Sequence, residues 1–265
     1  MTSPGQYAEV NGINLYYEVH GEGRPLVLLH GGLGSSGMFG PNLPALAAGR
    51  QVIAVDLQGH GRTADIDRPF SIHAMADDIA ALIRHLNLGR ADVMGFSLGG
   101  GVALQTAVRH PDVVNKLIVI SAALRRSAFY PELLAQQVHV SGAMAEMMKE
   151  TPMYQVYQSI APRPEDFPRL LDKIGVAMRD DFDFTDDVRR VQAPTLVVAG
   201  DADMFPPSHA AEFHALLGGG QRDGGWDGSG RGKSRLAIIP GMTHYEISDS
   251  PALAAAAIPF LDDTL

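Results

Sequence analysis

Residues 93–104 read VMGFSLGGGVAL: an apolar, strand-like run, one serine between glycines, then apolar residues suited to a helix. A serine hydroxyl is a weak nucleophile unless a base activates it. Ser97 therefore carries chemistry only if a base, an acid and a site for negative charge lie elsewhere in the chain. A strand, a sharp Gly95-Phe96-Ser97-Leu98-Gly99 turn and a helix describe a nucleophile elbow. The glycines two before and two after the serine let strand and helix approach closely and present Oγ at the carboxyl end of the strand. The pattern is short and arises by chance in glycine-rich chains, so its weight depends on what surrounds it.

Outward from the elbow, PLVLLHG and QVIAVDLQGHG before it, and KLIVIS, PTLVVAG and RLAIIPG after it, are short apolar runs, most of them ending in glycine-rich turns. This is the rhythm of parallel strands buried on both faces. Helical stretches alternate with them. In 71–88, Ile72, Met75, Ile79, Leu82, Ile83 and Leu86 recur at helical spacing behind a Ser71 cap. Near the start, Asn11-Gly12 joins two strand-like runs as a tight hairpin, read as an antiparallel edge ribbon. Ser250 and Pro251 open a last helix, which Pro259 should kink or end. Two stretches break the alternation. Residues 122–193 hold prolines and charges without a convincing strand and read as a helical cap inserted into a core of 1–121 and 194–265. The glycine-rich 218–234 contains the single tryptophan. It precedes a strand, so it should emerge at the sheet edge opposite Ser97, with Trp226 anchoring it to the protein body or to a partner chain.

Composition narrows the classes. A length of 265 residues with 46% apolar content fills one α/β core with an insertion. The net charge of -9 has no cationic cluster to bind phosphates, which argues against nucleic acid. With no cysteine, disulfides, thiolate catalysis and thiolate metal sites are all excluded. His209 and His214, five apart, share a helix face poorly, and no metal or organic cofactor is expected. No apolar run approaches the roughly 18 residues of a membrane span, and the N-terminus lacks a basic region before an apolar one. A cytoplasmic protein without a membrane partner is expected, its oligomeric state open with a homodimer among the options.

The base should follow a strand at the edge where Ser97 stands. PGMTHYE places His244 there, but His30 and His60 fall in other loops at the same edge. His30 is better explained as part of its own turn. For the acid, AGDADMFPP offers Asp201 and Asp203; Asp203 lies deeper in the loop and is favoured, with Asp201 as the turn-former. The chain order is then Ser, Asp, His. An oxyanion site needs two backbone N–H donors: one from Leu98, after the nucleophile, the other from Gly32 in LLHGGLG.

The motifs LLHGGLG, DLQGHGRT, GFSLGGG, AGDADMFPP and PGMTHYE, in this order, resemble those of α/β-hydrolase-fold serine hydrolases over essentially the whole chain. The resemblance implies an eight-stranded, mostly parallel sheet with helices on both faces, a cap after the sixth strand, and a triad of Ser97, Asp203 and His244. The chain departs from it in the length of 218–234 and in Tyr245 after the histidine. Ser97 disfavours the related haloalkane dehalogenases and epoxide hydrolases, which use an aspartate nucleophile.

Met38 and Phe39 after the oxyanion turn, Met204 and Phe205 after the acid, and Met242 before the base suggest an adaptable apolar pocket. The expected substrate is a carboxylic ester or lactone with an apolar acyl group, N-acyl homoserine lactones being the specific choice. The alternatives are a relative similar to cofactor-free haloperoxidases, acting by perhydrolysis, and a ligand receptor on a hydrolase scaffold.

Overall fold

The computed structural model describes residues 5–263. The chain opens with strands β1 (Gln6–Val10) and β2 (Ile13–His20), then β3 (Arg24–Leu29), helix α1 (Asn42–Ala47), β4 (Arg50–Val55) and α2 (Ile72–His85). After the central β5 (Ala91–Phe96) and α3 (Leu98–Arg109) comes β6 (Val114–Ile120). The segment that follows carries α4 (Pro131–Gln137), α5 (Pro152–Ile160), α6 (Phe167–Arg179) and α7 (Thr185–Val188). Then β7 (Thr195–Ala202), α8 (Pro207–Leu216), β8 (Arg235–Thr243) and α9 (Pro251–Asp262) complete the chain. The eight strands form one sheet in the order β1-β2-β4-β3-β5-β6-β7-β8. It is parallel from β4 to β8, while β2 runs antiparallel to both β1 and β4.

Period-2 alternation explains why the inner strands read as continuous apolar runs. Leu26 and Leu28 of β3, Ile118 and Ile120 of β6, and Leu196 and Val198 of β7 share one core layer with Leu46 of α1 and Leu253, Ala257 and Phe260 of α9. Their neighbours Val27, Leu29, Leu117, Val119, Val197 and Ala199 face the other layer, with α2, α3 and α8. Both faces are covered, so the middle of these strands is apolar, and the buried polar residues Asp92 and Lys116 lie toward their amino ends. The Ser71 hydroxyl accepts from the Ala74 N–H at 3.3 Å, as its position before α2 predicts. At the hairpin, Asn11 and Gly12 take φ 47° and 78°, the left-handed pair a two-residue turn needs.

Two expectations need correction. Of the two outcomes expected at Pro259, a kink or an end, the helix does not end there: α9 runs through it to Asp262. The ring removes one N–H from the ladder, while the end of the helix is held from outside. The buried Lys116 ammonium donates to the carbonyls of Phe260, Leu261 and Asp263 at 2.8, 3.0 and 2.5 Å, placing a cation on the negative end of the helix. Nor does Trp226 anchor its loop to the body: it is 109% exposed. Asp223 and Asp227 accept N–H groups two residues ahead, and Gly230 N–H bonds Gly224 O at 2.9 Å, so the loop closes on itself. It leads into the amino end of β8, where Arg235 is level with Leu196 of β7.

Between β6 and β7 the chain forms no strand of the sheet. The two ends of this segment meet at a neck, where Arg125 bridges Asp183 and the Phe184 N–H bonds Leu124 O at 2.7 Å. Its own small core is Tyr157, Phe167, Leu170, Leu171 and Ile174. No helix among the described residues is long and apolar enough to cross a membrane.

Lys116→Met keeps the buried stem but leaves three carbonyls without their donor. A loss of about 1.5–3 kcal/mol is expected, read as a lower urea midpoint by circular dichroism.

Candidate active site

Residue 97 begins where β5 ends, in a backbone conformation of φ 53°, ψ -115° that serine rarely adopts. The packing around it permits nothing looser. A Cβ on Gly95 would stand 2.0 Å from Gly99 O, and one on Gly99 would stand 2.4 Å from Leu29 O. Strand β5, helix α3 and strand β3 are therefore in backbone contact at the turn, and Oγ projects from the carboxyl edge.

The Ser97 hydroxyl lies 3.0 Å from Nε2 of His244, whose Nδ1 is 2.8 Å from Oδ1 of Asp203. Asp203 has no exposed side-chain surface. Burial pushes its pKa up, but the hydrogen bond and charge of His244, with bonds from Ser121 and the Met204 N–H, outweigh it and hold the carboxyl below its ordinary value. As an ionised acceptor it requires the proton on Nδ1, which leaves Nε2 free to accept from the serine. Ser121, directly after β6, donates to Asp203 Oδ2 at 2.5 Å, and the N–H groups of Gly200 and Met204 also point at the carboxylate. Its serine went unread in KLIVIS because its left-handed φ of 50° is not visible in the sequence. Asp201 is exposed and accepts the Gly241 N–H at 2.7 Å, joining the ends of β7 and β8.

The three histidines at this edge separate by their partners. His30 uses both nitrogens structurally: Nδ1–H donates to Gly31 O at 2.7 Å and Nε2 accepts the Leu57 N–H at 3.0 Å. His60 donates from Nδ1 to Gln58 O at 2.8 Å and stacks obliquely near His30, ring centroids 5.2 Å apart. Of the three, His244 alone reaches Ser97.

The turn after β3 is closed by the Gly34 N–H on Gly31 O at 3.2 Å, and the N–H groups of Gly32 and Leu33 meet no acceptor among the described residues. The Leu98 N–H likewise meets no acceptor among the described residues. A Cβ on Gly32 would touch nothing within 4 Å, and its φ is not left-handed. No neighbour in the chain requires a glycine there; the bare position leaves open space beside free N–H groups. The left-handed position of this turn, φ 58°, is occupied by Leu33, which costs a branched side chain about 1–2 kcal/mol. The segment after the turn is tied to the DLQGHGRT loop, because Asp56 accepts the Ser36 N–H at 2.7 Å, while its other oxygen accepts the Arg62 N–H of its own loop at 2.8 Å.

Of the expected pocket residues, Met38, Met204 and Met242 are partly exposed. Phe39 and Phe205 are not wall residues. Phe39 is fully buried in the core layer of α1 and α9, and Phe205, 2% exposed, belongs to the opposite layer. Phe39 ends a short helical turn over 36–39, and Met38 packs partly buried against the same layer. No group of three or more His, Cys, Asp or Glu side chains among the described residues is arranged to hold a metal ion.

A serine hydrogen-bonded to a neutral imidazole, itself fixed by a buried carboxylate and flanked by unused N–H groups, can transfer the serine proton and receive an oxyanion. Residues 24–152 match the α/β hydrolase fold. A pimeloyl-[acyl-carrier protein] methyl ester esterase of Neisseria meningitidis is 33% identical over 262 residues, covering 91% of this chain and 94% of that protein. A putative carbamate hydrolase, RutD, of Rhizobium rhizogenes is 32% identical over 215 residues, covering 73% of this chain and 81% of its own length. The dihydrolipoyllysine-residue acetyltransferase component of the acetoin cleaving system of Pseudomonas putida is 33% identical over 227 residues, but the chain spans 60% of its length. Among solved structures, the enol-lactonase of Burkholderia xenovorans LB400 superposes with a TM-score of 0.72 at 22% identity, covering 97% of this chain and 100% of that one, a likeness of fold.

Burial lowers the pKa of His30 to about 4 and of His60 to about 3, and it lowers that of His209 as well. The folded state keeps these rings neutral while the unfolded chain takes up protons below about pH 6.5. Stability is thus complete above that pH and is lost as pH falls toward the folded values, by up to about 1.4 kcal/mol per pH unit for each ring. The urea midpoint should drop steadily between pH 6.5 and 5, before most carboxylates titrate, and less steeply in His60→Asn by about one proton's worth. An unchanged slope in that variant would remove His60 from the account.

Proposed function

From the chain's membership of the α/β-hydrolase family, whose relatives here include a putative carbamate hydrolase and a methyl ester esterase, we propose that it is a serine hydrolase of carboxylic esters or lactones with an apolar acyl group. The observation that carries this reading is the continuous hydrogen-bonded chain from Asp203 through His244 to Ser97, beside the unused N–H groups of Gly32 and Leu98. His244 Nε2 takes the Ser97 proton as Oγ attacks the carbonyl carbon. Asp203 stabilises the imidazolium, and the N–H groups of Leu98 and Gly32 receive the oxyanion. Collapse expels the alcohol, which takes its proton from Nε2 and leaves an acyl group on Ser97. Water, activated by the same imidazole, then releases the acid. We read 122–193 as a cap over this edge of the sheet.

We base the acyl preference on Met38, Met204 and Met242, three flexible thioethers at partly exposed positions, Met38 and Met204 in the segments after β3 and β7 and Met242 at the carboxyl end of β8, with Met38 and Met242 also packed against the core layer of α1 and α9. The methyl ester esterase and the enol-lactonase among the similar proteins favour esters and lactones as substrates. N-acyl homoserine lactones, which combine a lactone with a flexible apolar acyl chain, are the specific proposal.

Ser97→Ala and His244→Ala should each lower kcat on p-nitrophenyl esters by about 10³-fold or more with melting curves preserved. Substantial turnover by folded Ser97→Ala would exclude a serine mechanism. Asp203→Asn should lose about 10⁴-fold in kcat, whereas Asp201→Ala, which loses only the Gly241 bond, should lose stability and keep its turnover. The opposite ranking would identify Asp201 as the acid. Across p-nitrophenyl esters and lactones of graded length, kcat/KM should rise with acyl chain from acetyl upward; a preference for charged acyl groups would overturn the apolar pocket.

A further inference from the structure

The turn after β3 has glycine at 31, 32 and 34, and yet its left-handed position, the one place where glycine is free of strain, holds Leu33. A side chain retained there does something that glycine cannot. The Leu33 side chain leaves the turn and packs against the small core of the inserted segment, Tyr157, Phe167, Leu170, Leu171 and Ile174. Four of these five residues, Phe167, Leu170, Leu171 and Ile174, lie on α6, and α6 is also bound to the core through its cations. Asp65, in the loop after β4, is buried and lies 2.8 Å from Arg169 Nε and 2.7 Å from Lys173 Nζ. Lys173 donates further to the carbonyls of Ile66 and Arg68, each at 2.8 Å, and Arg163 donates to Asp65 O at 2.5 Å. Gln58 holds the carboxylate from its own side, at 2.9 Å. One helix is thus latched by its cations to the core and touched by its apolar face by the turn that presents the Gly32 N–H.

We infer that Leu33 is a positioning residue, tying the oxyanion turn to the cap so that the seating of α6 on Asp65 sets the direction of the N–H groups at residues 32 and 33. Gly32 supplies no restraint of its own, having no side chain and open space around it. The anchor one residue later supplies it. A cap lifted from Asp65 would release Leu33 and let the peptides of the turn rotate, which weakens binding of the oxyanion more than binding of the neutral ester. The inference rests on the serine-hydrolase reading above.

The test is a double-mutant cycle on the full chain, with p-nitrophenyl butyrate as substrate and melting followed by circular dichroism. Leu33→Gly removes both the anchor and the strain, so it should melt no lower than the wild type while kcat falls about 10- to 100-fold, with KM moving less than about threefold. Leu33→Met, which restores an apolar chain to the same contact, should recover kcat to within about threefold. Lys173→Met, loosening the latch, should lower kcat in the wild-type background but add little in Leu33→Gly, since both act through one restraint. Equal kcat in Leu33→Gly and wild type, or fully additive losses in the double variant, overturns the coupling; so does a Leu33→Gly protein whose lost turnover follows a lost fold, if folded Lys173→Met keeps full kcat. These outcomes are distinct from failure of the serine mechanism, in which activity would survive Ser97→Ala whatever stands at position 33.

Discussion

Backbone-to-backbone contact between β5, α3 and β3 is the constraint on which the site depends. With no room for a Cβ at Gly95 or Gly99, the helix begins almost on top of the strand, and Ser97 must turn between them at a left-handed φ. The conformation is unfavourable for serine by itself, and it persists because the surrounding sheet and helix over-determine it. The same contact brings the start of α3 against the end of β3, where the Gly99 N–H bonds His30 O at 3.1 Å. The free Leu98 N–H and the turn after β3 are thereby brought together by one close approach, and the carboxyl ends of β7 and β8 add the acid and the base from the far side.

The sheet divides its labour between its two edges. At the carboxyl edge the loops after β3, β5, β7 and β8 carry groups whose hydrogen bonds point at one another: serine, imidazole, carboxylate. At the amino edge the bonds secure the end of the chain. Lys116 holds the carbonyls that finish α9, Arg24 donates to Leu261 O at 3.3 Å, and Arg50 pairs with Asp262. A parallel sheet makes this separation natural, because every crossover helix returns the chain to the amino edge and every functional loop leaves from the other.

Much of this was legible because it follows from local chemistry. Asn-Gly marks a hairpin, alternating glycines around a serine mark an elbow, and two-sided burial makes strands uniformly apolar. The choice of Asp203 over Asp201 followed loop depth; edge position left His30, His60 and His244 together, His30 was set aside as part of its own turn, and the family resemblance named His244, and the bonding partners in the structure fall the same way. What escaped reading depends on direction in space. Phe39 and Phe205 were taken for pocket walls from their neighbours in sequence, which do not say to which side a chain points. Ser121 and Leu33 matter through left-handed backbone angles that their residue types disguise. Pro259 stays helical because a lysine more than a hundred residues earlier holds the carbonyls beyond it, and a loop that bonds to itself leaves Trp226 in water.

That last feature bears on how the protein is observed. Its single indole is fully solvated in the folded state, so unfolding moves it from water to water. Emission from Trp226 will barely register loss of the core and will respond to events at the glycine-rich loop, far from the edge that bears Ser97. Tyrosine signals, from buried rings such as Tyr16, Tyr17 and Tyr157, or far-ultraviolet dichroism follow the fold itself, while the tryptophan serves as a spectroscopically isolated label on the opposite pole of the molecule.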